Sequence, residues 1–272
     1  MTSADFSYRF GGLERLYGVD IMTALNQSHV CIIGIGGVGS WAAEAIARSG
    51  IGTITLIDLD DICVSNTNRQ IHADTSTIGQ LKVEAMAQRI RLINPECIVH
   101  TVASFISDKN MGTLLNDEMD YVIDAIDSVK AKTALLAHCR RNKIKVVTVG
   151  GAGGQKDPSK IEMADLTKAY QDPLLAKVRT KLRKEYGLSS NPKRKFGIDC
   201  VFSSEQLTYP QPDGSVCNEK PASNGPVRLD CATGFGASMC VTATFGLFAA
   251  SRVINKLSEK AAPQTKISNK QM

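Results

Sequence analysis

The chain has no C-x-x-C pair, although it carries 8 cysteines in 272 residues. Cys31, Cys63, Cys97, Cys139, Cys200, Cys217, Cys231 and Cys240 are scattered, which excludes a zinc ribbon, and no zinc is expected. Its 4 histidines form no H-x3-H type pair either. No basic stretch followed by a short apolar core opens the chain, so no signal peptide is read. A disulfide scaffold is therefore not expected, and the cytoplasm is the expected compartment. Long hydrophobic runs are nearly absent. The one exception, Ala232 to Ser251, lacks charge and could be taken for a membrane span. Thr233, Ser238, Thr242, Thr244 and Ser251 interrupt it, and Gly234, Ser238, Thr242 and Gly246 recur at every fourth position. Such a stripe suits a buried helix packed closely on the sheet or on a second subunit.

What remains is a globular composition, 43% apolar and 22% charged, with a net charge of +5. The charge is unevenly placed. Between Lys168 and Lys195 nine basic residues face two acids, a net +7, so the remainder is slightly acidic. A solvated helix face is the ordinary reading of a charge run, but a one-sided excess also suits a polyanion such as RNA.

Over the first 150 residues strand and helix patterns alternate. Short Val/Ile-rich runs at about 29–34, 53–58, 97–103, 120–125 and 144–149 read as buried parallel strands, and 160–166 as a further strand. Helical patterns fall at about 38–49, 79–93, 108–115 and 128–141, with an extra helix inside the first 25 residues. The fold class expected is α/β, a Rossmann-like, doubly wound and mostly parallel sheet. A C-terminal extension would add a basic helix at about 173–186, a long loop over 203–230 and the small-residue-rich helix. Residues 1–166 are thus assigned to a nucleotide-binding unit with an N-terminal helix, and 167–272 to an extension integrated with the same fold.

The stretch VCIIGIGGVGSW, Val30 to Trp41, runs from a strand through a glycine turn into a helix, the arrangement that holds phosphates at a helix N-terminus. Asp58 ends the second strand 24 residues after Gly34, where an acid binds ribose hydroxyls. A dinucleotide groove has no use for the groups beyond it. Arg69 and Lys82 can neutralise charge on phosphate oxygens as a bond to phosphorus breaks. Asp127 ends the fourth strand, at the sheet edge where a carboxylate can hold magnesium against phosphates. Singly, Arg69 reads more readily as a surface ion pair, Lys82 as an exposed helix lysine, and Asp127 as a helix N-cap.

Together, GxGGxG, D-x-D-x(4)-S-N-x(2)-R-Q, G-Q-x-K and D-x(2)-D resemble the adenylating domain of the ubiquitin-activating-enzyme superfamily, over about residues 9–166. The resemblance implies ATP and Mg2+ as ligands and attack of a carboxylate on the α-phosphate. It places Gly34, Gly36, Gly37, Gly39, Asp58, Asp60, Asn66, Arg69, Gln70, Lys82 and Asp127 around the nucleotide. Arg69, Lys82 and Asp127 carry the chemistry, and Asp127 holds the metal. A monovalent cation beside the glycine loop at 150–154 is a further candidate ligand.

Activation of a ubiquitin-like sulfur carrier is the alternative reading, and it is lowered because the sulfur-carrier activators of this superfamily carry two C-x-x-C pairs that are missing here. The opening RFGGLERLYG, the basic insertion after residue 167 and VTATFG near the end resemble the branch that acts on tRNA bearing threonylcarbamoyladenosine. That resemblance spans nearly the whole chain and implies ring closure of the threonylcarbamoyl group through an adenylate. It also implies a homodimer, to which Arg9 or Arg15 could contribute across the interface, and a cysteine desulfurase as sulfur-relay partner. Lys177, Arg179, Lys181, Arg183, Lys184, Lys193, Arg194 and Lys195 are the candidate RNA contacts. No cysteine is assigned a catalytic role, because Cys200 and Cys231 read more readily as small buried residues.

Overall fold

The computed structural model describes residues 3–191, 193–211, 213–219 and 235–262. Two helices open the chain, α1 (Ala4–Tyr17) and α2 (Val19–Asn26), separated at Gly18, whose φ of +91° ends the first. The single N-terminal helix expected from the sequence is therefore two. The alternating part follows: β1 (His29–Ile33), α3 (Gly39–Arg48), β2 (Thr53–Ile57), α4 (Lys82–Ile93), β3 (Ile98–Val102), α5 (Met111–Leu114), β4 (Tyr121–Asp124), α6 (Val129–Arg141) and β5 (Val146–Val149). Then come β6 (Ile161–Asp165), α7 (Pro173–Tyr186), β7 (Asp199–Ser203), β8 (Tyr209–Pro210), β9 (Val216–Cys217) and α8 (Met239–Ala261).

Seven strands form one sheet in the order β3-β2-β1-β4-β5-β7-β6. Every pairing is parallel except β6 with β7, so the doubly wound, mostly parallel architecture is as expected. The chain winds outward from β1 through β2 to β3, then crosses back to β4. The strand order thus reverses between β1 and β4, which opens a crevice at their carboxyl ends.

Alternate strand residues feed two cores. Val30 and Ile32 point to the layer of α1, α2, α3, α4 and α8, while Cys31 and Ile33 point to that of α5, α6 and α7. Both layers are apolar, as a sheet covered on both faces requires.

Two expectations need correction, and one strand was missed. The span 203–230 is not one long loop: β8 and β9 pair as a small antiparallel hairpin within it, while residues 220–230 lie outside the described residues. The strand β7 was not read from the sequence at all. The last helix starts at Met239 rather than near 232 and continues to Ala261, past the uncharged run, and Gly234 lies outside the described residues. Its packing matches the small-residue stripe. A Cβ on Gly246 would lie 2.5 Å from the Val38 carbonyl oxygen and 2.8 Å from the Ala42 nitrogen, so α8 approaches α3 to backbone contact. Among the described residues no helix is long and apolar enough to cross a membrane.

Candidate active site

The glycine turn after β1 is shaped by contact with the crossover strand. Gly34 has φ +88°, and a Cβ there would meet the Ala125 carbonyl oxygen at 2.8 Å; one on Gly39 would fall 1.7 Å from the Gly34 carbonyl oxygen. These two glycines close the turn. Gly36 and Gly37 face side chains instead, their Cβ positions lying 4.0 Å from Gln70 Nε2 and 3.3 Å from Arg69 Cγ. The N-terminus of α3 has no side-chain cap. Ser40 Oγ and Gln70 Oε1, both buried here, have no hydrogen-bond partner among the described residues. Uncapped amides, orphaned buried polar atoms and a glycine cradle are what a phosphate-bearing ligand satisfies.

Asp58 follows β2 and fixes the turn from the other side. Its Oδ2 accepts from the Ile35 amide at 2.6 Å and its Oδ1 from the Asp60 amide at 2.9 Å. Burial pushes its carboxyl pKa up, against the pull of these amides and of Lys82. The chain then leaves the sheet and returns by a short ladder. Ile62 donates to Gln80 at 2.8 Å, Gly79 to Ile62 at 2.9 Å and Lys82 to Asp60 at 3.0 Å. This ladder sets Lys82 at the first turn of α4, and its Nζ reaches Asp60 Oδ2 at 2.8 Å. Lys82 is only 7% exposed, so it is not an ordinary surface lysine.

Within that excursion a 3-10 turn at 64–66 is capped by Asn66, whose Oδ1 accepts from the Cys63 amide at 3.1 Å. Arg69 donates to the Ser65 carbonyl at 2.7 Å and to Asn68 Oδ1 at 3.0 Å. Its own carbonyl accepts from Trp41 Nε1 at 3.0 Å and from Thr242 Oγ1 at 3.5 Å. Sequence reasoning missed this support. Trp41 is the single tryptophan and directly follows the glycine motif, which was a usable signal; Thr242 lies far along the chain and gave none.

Asp127 lies beyond β4 at the same carboxyl edge and is exposed. Ser128 caps α6, accepting from the Ala131 amide, so the capping role weighed for Asp127 belongs to its neighbour. Beneath it Asp124 is fully buried and paired with Lys132 at 2.8 Å. The glycine loop after β5 is gripped by Asp172, whose Oδ2 accepts from Gly151 at 2.8 Å; a Cβ on Gly150 would lie 1.9 Å from that oxygen. Asp58, Asp60, Arg69, Gln70 and Lys82 thus lie around the glycine turn, and Asp127 stands at the same edge of the sheet. The eight candidate RNA residues lie elsewhere, on α7 and after it.

Cys200 is buried and its thiol is pushed far up by burial, which suits an inert core residue; Cys231 lies outside the described residues. Among the described residues no cluster of three or more His, Cys, Asp or Glu could hold a metal. A magnesium bound by one carboxylate and substrate phosphates needs no such cluster, and exposed Asp127 fits that mode.

A family model, that of the ThiF family, matches residues 12–272. The chain belongs to the ThiF family. Within that family, a tRNA threonylcarbamoyladenosine dehydratase of Escherichia coli strain K12 is 57% identical over 256 residues, spanning 94% of this chain and 96% of that protein. A crystal structure of the E. coli enzyme in complex with ATP matches this ThiF-family chain with a TM-score of 0.86 at 51% identity, covering 97% of this chain and 99% of that one. The structure with AMP gives the same figures.

Proposed function

We propose that this chain closes N6-threonylcarbamoyladenosine in tRNA to its cyclic form, with ATP as the activating substrate. The observation that carries the reading is the likeness to the E. coli dehydratase over 94% of this chain; the basic segment between Lys168 and Lys195 agrees with an RNA substrate. In the first step the threonyl carboxylate attacks the α-phosphorus, forming an acyl-adenylate and releasing pyrophosphate. In the second a nitrogen of the same side group attacks the activated carbonyl and loses its proton. AMP departs with the carboxylate oxygen, so the product is lighter by one water. The nucleophile is tethered to its electrophile, so proximity supplies much of the rate and no protein thioester is needed.

The residues fit these roles. Asp58 and Asp60 face the ribose, and the turn Gly34, Gly36, Gly37 and Gly39 brings backbone to the phosphates. Asn66, with its carbonyl oxygen taken by Cys63, offers its amide N–H groups, and Gln70 lies beside Gly36. Arg69 and Lys82 neutralise charge at the α-phosphorus as pyrophosphate leaves. Mg2+ would supply further neutralisation, with Asp127 as its carboxylate. Gln155 Oε1, buried beside the 150–154 loop with no hydrogen-bond partner among the described residues, is an oxygen suited to a monovalent cation there. A homodimer belongs to the same reading, supported by the exposed apolar side chains Tyr8, Leu16 and Val19 near the N-terminus.

The test measures pyrophosphate release with Mg2+ and ATP. Release is expected with tRNA bearing threonylcarbamoyladenosine, and not with tRNA lacking it or with a carrier protein ending in Gly-Gly. Lys82→Met should slow release about a hundredfold or more while tRNA affinity stays within twofold. Release driven by the carrier protein instead would favour the sulfur-carrier alternative.

A further inference from the structure

The last turns of α6 and α7, with residues 187–189 and 194–196, line a second concavity of about 510 Å3. It lies at the opposite edge of the sheet from the crevice. Arg141 ends α6 shortly before β5 begins, and Phe196 immediately precedes β7, so both stand at the amino ends of strands. Strands of 4 to 5 residues separate the two edges by about 15 Å.

Arg140, Arg141, Arg194 and Lys195 line the concavity together with Tyr186 and Phe196, and among the described residues no carboxylate lines it. The loop that carries these charges is held in place. Asp165 accepts from the Phe196 amide at 3.1 Å and from the Gly197 amide at 2.7 Å, while Arg140 donates to the Phe196 carbonyl. Behind it the Arg183 guanidinium sits 5.4 Å from the centroid of the Phe196 ring, and Arg183 Nε is buried with no hydrogen-bond partner among the described residues. The two helix C-termini offer only about half a negative charge each against four cations.

Helix α7 links this concavity to the crevice. It starts where Asp172 grips Gly151 and ends at Tyr186, a run of about 21 Å. Lys177 and Lys184 are exposed along it, and Lys181 is paired with Glu185 at 2.8 Å.

We propose that this concavity docks phosphodiester groups of the RNA backbone, and that α7 carries the backbone from there toward the adenylation crevice. The inference rests on the tRNA reading above and adds to it a second, remote contact. Phosphate is favoured over a base because cations dominate the lining: the Phe196 ring is 1% exposed and unavailable for stacking, which leaves half-buried Tyr186 against four cationic groups. Four cationic groups also read anionic oxygens without regard to sequence. The site therefore contributes affinity and leaves the choice of nucleoside to the crevice.

The test is the triple variant Arg141→Ala, Arg194→Ala and Lys195→Ala, with Arg140 and Arg183 left in place because they hold the loop. Binding of unmodified tRNA is measured across a series of KCl concentrations, alongside ATP binding and thermal unfolding. The slope of log K against log salt should flatten by about 2, and tRNA affinity at low salt should fall at least tenfold. ATP affinity and the unfolding midpoint should stay unchanged, and replacement of the same residues by the other basic residue should restore the slope. If the wild-type protein binds no tRNA at any salt, the functional reading itself fails. If it binds and the triple variant matches it in affinity and slope, or loses affinity with the slope intact, the docking site is overturned while that reading stands.

Discussion

His72 sits buried beside Lys82 and Arg89, and neither ring nitrogen has a hydrogen-bond partner among the described residues. Burial first, then the two cations, pushes its pKa down to about 4 from the usual 6.5. A histidine held neutral in this way contributes stability that is fully present above the unfolded value and is lost as pH falls from about 6.5 toward 4. Between pH 7 and pH 5 that loss amounts to about 2 kcal/mol. Urea unfolding at the two pH values should show it in the wild type, and His72→Leu should remove it. An unchanged pH dependence in the variant would contradict this account. The same residue shows where sequence reading stops. Lys82 and Asp127 were legible because their motif spacing is fixed by a local ladder and a strand end. The burial of His72, and the grip of Trp41 and Thr242 on the Arg69 carbonyl, depend on what packs over the 63–78 excursion.

At the scale of elements, one buried cluster joins β4, α6 and β5. Lys132 Nζ donates to Asp124 Oδ2 at 2.8 Å and to Thr148 Oγ1 at 3.1 Å, and the pair is 0% exposed on both sides. Asp124 also accepts from the Ile126 amide at 3.1 Å, which shapes the turn that presents Asp127. Removing one partner strands a buried charge, so Lys132→Ala should cost about 3–5 kcal/mol, read as a shift of the urea midpoint. A loss below 1 kcal/mol would show that the pair contributes little. Strands β1, β2, β4 and β5 were legible because buried parallel strands are nearly continuous Val and Ile runs; the edge strands β3 and β6 were also read, although β6 pairs antiparallel. Strand β7 was not. DCVFS opens on an aspartate, which pairs bidentately with Arg252 of α8 at 2.7 and 2.9 Å, and its partners β5 and β6 are distant in sequence. The last helix was read too early for a related reason. Absence of charge marked 232–251, whereas the helix continues through Arg252, Lys256 and Lys260 because one face stays apolar at Val253, Ile254 and Leu257.

At the scale of the molecule, the sheet separates two kinds of chemistry. Its carboxyl edge gathers the glycine turn, Asp58, Lys82 and Asp127, and its amino edge gathers Arg140, Arg141, Arg194 and Lys195. The first arrangement was legible from motif order, because a strand, a glycine turn and an acid at the next strand end specify one place in this topology. The second was legible only as a charge run. Residues far apart in sequence, from the end of α6 and the loop after α7, had to fold together before it became a concavity. The central claim is that the crevice converts ATP into the driving force for ring closure on tRNA. It is tested most directly by nucleoside mass spectrometry of tRNA bearing threonylcarbamoyladenosine, incubated with the protein, Mg2+ and ATP. The modified nucleoside should become lighter by one water, with one AMP formed per nucleoside converted and no conversion when ATP is omitted. An unchanged nucleoside mass in the presence of ATP would contradict the account.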